Sequence, residues 1–363
     1  MSPAPEPRLA FLDSLRGLAA AWVVLFHLVF IPNPDLAVPG WAFPWVRVGG
    51  MGVTLFFVVS AFSLCYTMPA HQKEPSPLFS FYARRFFRIA PLFYVLLAFT
   101  LLRDKLAFGQ AHAPATVAES LAFLFNLVPG KQEGIVWASW TIGVEMLFYL
   151  LFPLFYLWTR DAYRAGAFLF LTLVASPVFK LSLTYLPVEP DKYFYWSFLR
   201  HLPVFVLGMV AFRLRRAPGG ADAQRRVGWL LVSLSLLLFM ALIHGWLEGL
   251  FLESYYWQAT MFVALLLGLA HHPLPWVVNG ATRFLGKLSY SLYLNHPPLI
   301  LFLIPVYRVV YGWPLLLSLK YLIVVGVTFA VLVPLSYLTY RFIEEPGIRF
   351  GKGVVRGPRT TCS

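Results

Sequence analysis

Arg16 and His27 stand eleven residues apart in an apolar run that reads LDSLRGLAAAWVVLFH. Eleven residues make about three helical turns, so both side chains would leave nearly one face, about 16 Å apart along the axis. Ionisable groups inside a membrane-spanning helix are costly and mark function by default. Histidine is the side chain best suited to take a proton near neutral pH. The competing reading is a histidine satisfied by a neighbouring span and an arginine reaching to the interface. Asp13, three residues before Arg16, is placed to pair with it, and a structural role is expected of it. Glu145 lies near the outer end of a later run, in WTIGVE. There a carboxylate either glues helices together or partners a histidine or a sugar hydroxyl. Arg84, Arg85 and Arg88 fall within YARRFFRIAP. Three guanidiniums so close can grip phosphates such as those of CoA, or can anchor the chain at the cytoplasmic interface.

These residues need apolar elements to hold them. The chain has 363 residues, of which 59% are hydrophobic and 12% charged, with a mean hydropathy of +0.70. Soluble domains carry about 25% charged residues, so lipid is the expected solvent. The net charge of +13 comes from basic residues between apolar runs, the pattern of cytoplasmic loops rather than of nucleic-acid binding. Cys65 and Cys362 show neither metal-ligand spacing nor a disulfide framework, and no metal is expected. Asp13, Arg16 and His27 interrupt the first run, which is therefore read as retained rather than cleaved.

Apolar runs fall at 10–31, 49–68, 86–103, 138–158, 165–186, 197–213, 227–247, 256–271, 285–307 and 317–341. A span takes about 20 residues. A shorter patch, 116–128, is broken by Glu119 and Asn126. Leaving it out of the membrane puts most of the 29 basic residues on one side, including the five arginines between 213 and 226. The positive-inside rule then gives an all-α integral membrane bundle of about ten helices with both termini cytoplasmic. The patch becomes a short external or re-entrant helix. The stretch 217–224 (APGGADAQ) is the most linker-like. The expected division is a membrane domain over 1–350 and a basic, disordered cytoplasmic tail over 351–363.

Six motifs in order across the chain resemble the membrane-bound acyltransferase 3 family. They are LDSLRGLAAAWVVLFH, GVTLFFVVSAF (Gly52 to Phe62), RRFFRIAP (Arg84 to Pro91), WTIGVEMLFYLLFP (Trp140 to Pro153), SYSLYLNH (Ser289 to His296) and FIEEP (Phe342 to Pro346). The chain departs from the family pattern at Thr54, Ala61, Met146 and Glu345. It resembles the stand-alone type, without an appended esterase-like domain. The resemblance implies transfer of an acyl group, acetyl first, from acyl-CoA to a hydroxyl of a carbohydrate-like acceptor at a bacterial inner membrane. His27 is then the expected general base, with Arg16 and Glu145 beside it. Arg84, Arg85 and Arg88 would contact the phosphates of CoA. Ser60, Trp140, Tyr290 and His296 join Asp13 as further candidates through the matched motifs. The rival from another class is a transporter or lipid flippase. Inverted repeats would favour it; the sequence has none, and its polar residues gather in the first half.

Overall fold

The computed structural model describes residues 9–216, 219–250 and 252–356. The helices run in the order α1 (Ala10–Phe30), α2 (Phe43–Val46), α3 (Gly52–His71), α4 (Pro77–Phe108), α5 (Pro114–Leu121), α6 (Trp140–Trp158), α7 (Ala162–Leu183) and α8 (Pro190–Trp196). They continue with α9 (Phe198–Leu214), α10 (Ala221–Ile243), α11 (Ser254–His271), α12 (Gly280–Lys287), α13 (Ser289–Gly312), α14 (Leu317–Thr339) and α15 (Glu345–Arg356). No strand occurs among the described residues. Helices fill all ten expected positions. Among the described residues, eight helical stretches are long and apolar enough to cross a membrane. The helices α11, which opens Ser-Tyr-Tyr-Trp-Gln, and α13, which holds Asn295, His296 and three prolines, are not among the eight. Exposed apolar side chains such as Phe170, Val178, Leu230 and Leu237 on α7 and α10 have lipid as their natural neighbour. The patch 116–128 forms the eight-residue α5 and a 3-10 turn, too short to span.

Backbone contact fixes α1 in the bundle. A Cβ added at Gly17 would meet the Thr282 carbonyl oxygen at 2.4 Å, and one at Gly286 would meet the Asp13 carbonyl oxygen at 1.8 Å. Glycine at both positions lets α1 and α12 cross almost backbone to backbone, as small residues do between membrane helices. Thr282 Oγ1 donates to Ser14 Oγ at 2.9 Å across the same crossing. Asn279 and Thr282 form a capping box that starts α12, so Lys287 falls in its last turn.

The far end of the chain differs from the expected boundary at 350. The helix α15 continues to Arg356, and residues 357–363 of the expected tail lie outside the described residues. Gly347 and Gly351 face α4: a Cβ at Gly347 would lie 2.6 Å from Pro91 Cγ, and one at Gly351 2.8 Å from Phe87 Cβ. Two glycines four apart make a flat face, and the helix persists because that face packs on α4. The linker-like stretch is also partly helical. Ala221 opens α10, with Asp222 in its first turn favoured by the helix dipole. Ala217 and Pro218 lie outside the described residues.

Candidate active site

A cavity of about 510 Å³ runs between α1, α3, α4, α6 and α13, within the usual range for a small-molecule site. On α3 it is lined from Thr67 back to Val53, fourteen residues of helix or about 21 Å. One end carries Arg85, Arg88, Lys287 and Lys352; the other carries Thr141, Phe56 and Tyr293. Asp13, Arg16, Ser60, Glu145 and Tyr290 also line it. Seven of the eleven candidate residues therefore share one cavity, although they come from five helices.

The three arginines of α4 separate in role. Arg84 Nη2 donates to Glu74 Oε1 at 2.5 Å and does not line the cavity. Arg88 is ion-paired with Glu344, whose carboxylate is fully buried and also accepts from Ser291 Oγ at 2.9 Å. That link ties α4, α13 and the π-helical turn Tyr340–Glu344 together. Irregular turns of this kind often occur at functional sites. Arg85 lines the cavity, has no ion-pair partner among the described residues, and its buried Nε has no hydrogen-bond partner. Glu344 was legible within FIEEP, yet only the fold shows that it neutralises Arg88.

Along the wall, Ser60 Oγ and Tyr149 OH are 3.1 Å apart beside Glu145. Tyr290 OH donates to the Ile89 carbonyl at 2.7 Å. At the inner end Tyr293 OH donates to the Ala138 carbonyl at 3.1 Å and accepts from Thr141 Oγ1 at 3.0 Å. Its ring stands edge-on to Phe56 at 5.8 Å. Trp140 is elsewhere: its ring packs against Trp196, His201 and Phe57, outside the cavity.

His27 and His296 form a pair behind Tyr293, whose ring lies 5.7 Å from that of His296. His296 Nε2 is 3.1 Å from His27 Nδ1. Each ring also meets a carbonyl of its own helix, His27 Nδ1 at Val23 (3.1 Å) and His296 Nδ1 at Leu292 (3.3 Å). A carbonyl only accepts, so both Nδ1 atoms carry the proton in neutral rings. His296 Nε2 then accepts from His27 Nδ1–H, and every nitrogen of His296 is occupied. His27 Nε2 keeps a free lone pair, and His27 is half-buried whereas His296 is fully buried. The group that orients His27 is thus His296 and not Glu145, which makes no contact with the ring. Pro297 and Pro298 follow His296 inside α13 and withhold backbone donors from the preceding turn, leaving the Tyr293 and Leu294 carbonyls without their helical donors.

The sequence profile of this family, described as an acyltransferase domain, matches residues 9–341. The chain belongs to the acyltransferase 3 family. It is an integral membrane protein with an acyltransferase domain over nearly its whole length. It is 24% identical to the peptidoglycan O-acetyltransferase OatA of Listeria monocytogenes, over 92% of this chain and 55% of that protein. It is 25% identical to the putative peptidoglycan O-acetyltransferase YrhL of Bacillus subtilis, over 92% and 54%. The putative membrane-bound transacylase BcsY of Komagataeibacter xylinus is 26% identical over 95% of this chain and 84% of its own length. The chain spans about half the length of the two peptidoglycan relatives. No solved structure gives a significant match.

Proposed function

We propose that the protein is an O-acyltransferase of the bacterial inner membrane that moves an acyl group, acetyl first, from acyl-CoA to a hydroxyl of a carbohydrate-like acceptor. The observation that carries this reading is one elongated cavity, basic at one end, with a hydrogen-bonded histidine pair behind its other end. The donor would enter with its phosphates among the basic residues on the cytoplasmic side. Its thioester arm would extend along Ser60, Glu145 and Tyr149 toward Tyr293. His27 Nε2 takes the proton of the acceptor hydroxyl as the oxygen attacks the thioester carbonyl. The carbon–sulfur bond breaks, and the thiolate leaves with the proton that His27 gives up. His296 acts through His27, holding its ring and tautomer. Arg16 stabilises negative charge on the donor, and holding the reactants together supplies much of the remaining acceleration.

The test uses purified protein in lipid nanodiscs with acetyl-CoA and longer acyl-CoAs. Free thiol release should rise when an oligosaccharide acceptor is added, with the acyl label on the sugar. Substrate movement across vesicles without thiol release would overturn the reading in favour of a transporter or flippase.

A further inference from the structure

The basic end of the cavity holds more cations than the arginine motif supplies. Lys287 comes from the last turn of α12 and Lys352 from α15, and both line the cavity while remaining exposed. Neither has a carboxylate partner among the described residues. Four other described arginines at this end are ion-paired. Glu345 takes both Arg341 and Arg349 (the latter at 2.9 Å), Glu344 takes Arg88, and Glu74 takes Arg84. The positive charge left facing this end is that of Arg85, Lys287 and Lys352, with Arg16 farther in.

The fold holds these three in fixed relation. The glycine face of α15 sits on Phe87 and Pro91 of α4, the helix that carries Arg85. The crossing of Gly17 and Gly286 locks α12, and with it Lys287, against the start of α1. The Lys287 ammonium lies 5.0 Å from the centre of the Tyr340 ring, another residue of the cavity wall. Three cations from α4, α12 and α15 that line one cavity suit a ligand with several separated phosphates.

We propose that Lys287 and Lys352, together with Arg85, form a phosphate-binding site for the nucleotide end of a CoA-type thioester, with α15 as its wall. The proposal rests on the acyl-CoA donor reading above. It moves the phosphate contacts away from Arg84 and Arg88 and onto two lysines outside the arginine motif. It gives α15 a part in donor binding.

Kinetics with two donors test it. Acetyl-CoA carries the phosphates, and S-acetylpantetheine carries the same thioester without them. Lys287→Ala and Lys352→Ala should each raise KM for acetyl-CoA about tenfold, the loss of one charge-assisted contact, with kcat little changed. Their kcat/KM with S-acetylpantetheine should match the unaltered protein, and Lys352→Arg should restore most of the affinity for acetyl-CoA. Wild-type protein that uses neither donor would overturn the donor reading itself. Wild-type use of acetyl-CoA with unchanged KM in both variants would overturn only the lysine site. Repeating the assay with and without phosphatidylglycerol separates the phosphates of the donor from those of lipid. Equal losses with both donors, appearing only in anionic vesicles, would make the lysines headgroup anchors and sink the proposal.

Discussion

At the basic end of the cavity, charge is held by charge. Arg84 has Glu74, Arg88 has Glu344, and Glu345 gathers two arginines of its own. Behind the other end nothing charged touches the histidines; each ring rests on a backbone carbonyl and on its fellow. The difference fits the roles proposed above for the two ends. A site for phosphates needs cations that stay charged, and a protein can keep several together only by neutralising the ones it does not use. A base needs a lone pair, and a neutral ring fixed by carbonyls presents one without a buried charge.

Breaking the inner end should produce the larger effect. His27→Gln keeps much of the shape and loses the base. Transfer to acceptor, read as labelled sugar, should fall about 10²–10⁴-fold while acetyl-CoA affinity stays within a factor of two or so. A fall below about tenfold would remove His27 from the role of base.

At the basic end the corresponding break is structural. Glu344→Leu strands the Arg88 guanidinium beside a buried apolar side chain; losing one partner of a fully buried pair costs about 3–5 kcal/mol, and because the Arg88 side chain is 33% exposed the loss here should fall below that range. The midpoint of thermal unfolding in detergent should drop by several degrees. The double variant Arg88→Met/Glu344→Leu should recover most of that loss. If the single variant unfolds like the unaltered protein, the ion pair is not what ties α4, α13 and the turn Tyr340–Glu344 together.

His296→Leu tests the dyad more finely. The Val23 carbonyl still holds Nδ1–H of His27, so the tautomer survives in part, and kcat should drop about tenfold rather than by the full loss of general-base catalysis. His296→Gln keeps an oxygen able to accept from His27, so it should regain activity that the leucine variant lacks. Loss in His296→Gln as deep as in His27→Gln would assign the proton transfer to His296 instead.

Legibility in the sequence followed the same divide. The apolar runs gave the helices to within a few residues for most of the chain, because membrane spans declare themselves by length and composition. Arg16, His27, Glu145 and the arginine motif stood out because charges in apolar runs are rare. Their division of labour did not, since Glu74 comes from the turn before α4, Glu344 from the π-helical turn and His296 from α13. Trp140 matched a motif yet packs in an aromatic cluster, and motif membership alone does not distinguish wall from support. Ala61 is one departure with a physical account: it is fully buried, and its Cβ is close to where a side chain on Gly208 of α9 would start, so that glycine leaves room for it. The persistence of α15 was missed because its Gly-rich composition reads as disorder, although the two glycines are what let it pack.

The smallest effect should come from Tyr293, which stands between the cavity and the histidine pair. Its hydroxyl joins the Ala138 carbonyl and the Thr141 hydroxyl, and Ala138 is held at φ 65°, a conformation that costs energy in a non-glycine residue. Tyr293→Phe removes two neutral hydrogen bonds but keeps the ring beside Phe56 and His296. A typical neutral bond contributes about 1 kcal/mol net, and Thr141 can still donate to the Ala138 carbonyl at 3.2 Å. Transfer should therefore fall only about two- to fivefold, with donor affinity unchanged. Tyr293→Ala removes the ring itself and joins the cavity to the histidine pair. If that ring is what keeps water and thioester apart until an acceptor arrives, thiol release without acceptor should rise in the alanine variant and not in the phenylalanine one. Equal acceptor-independent release in both would mean that the hydroxyl, not the ring, divides the two regions.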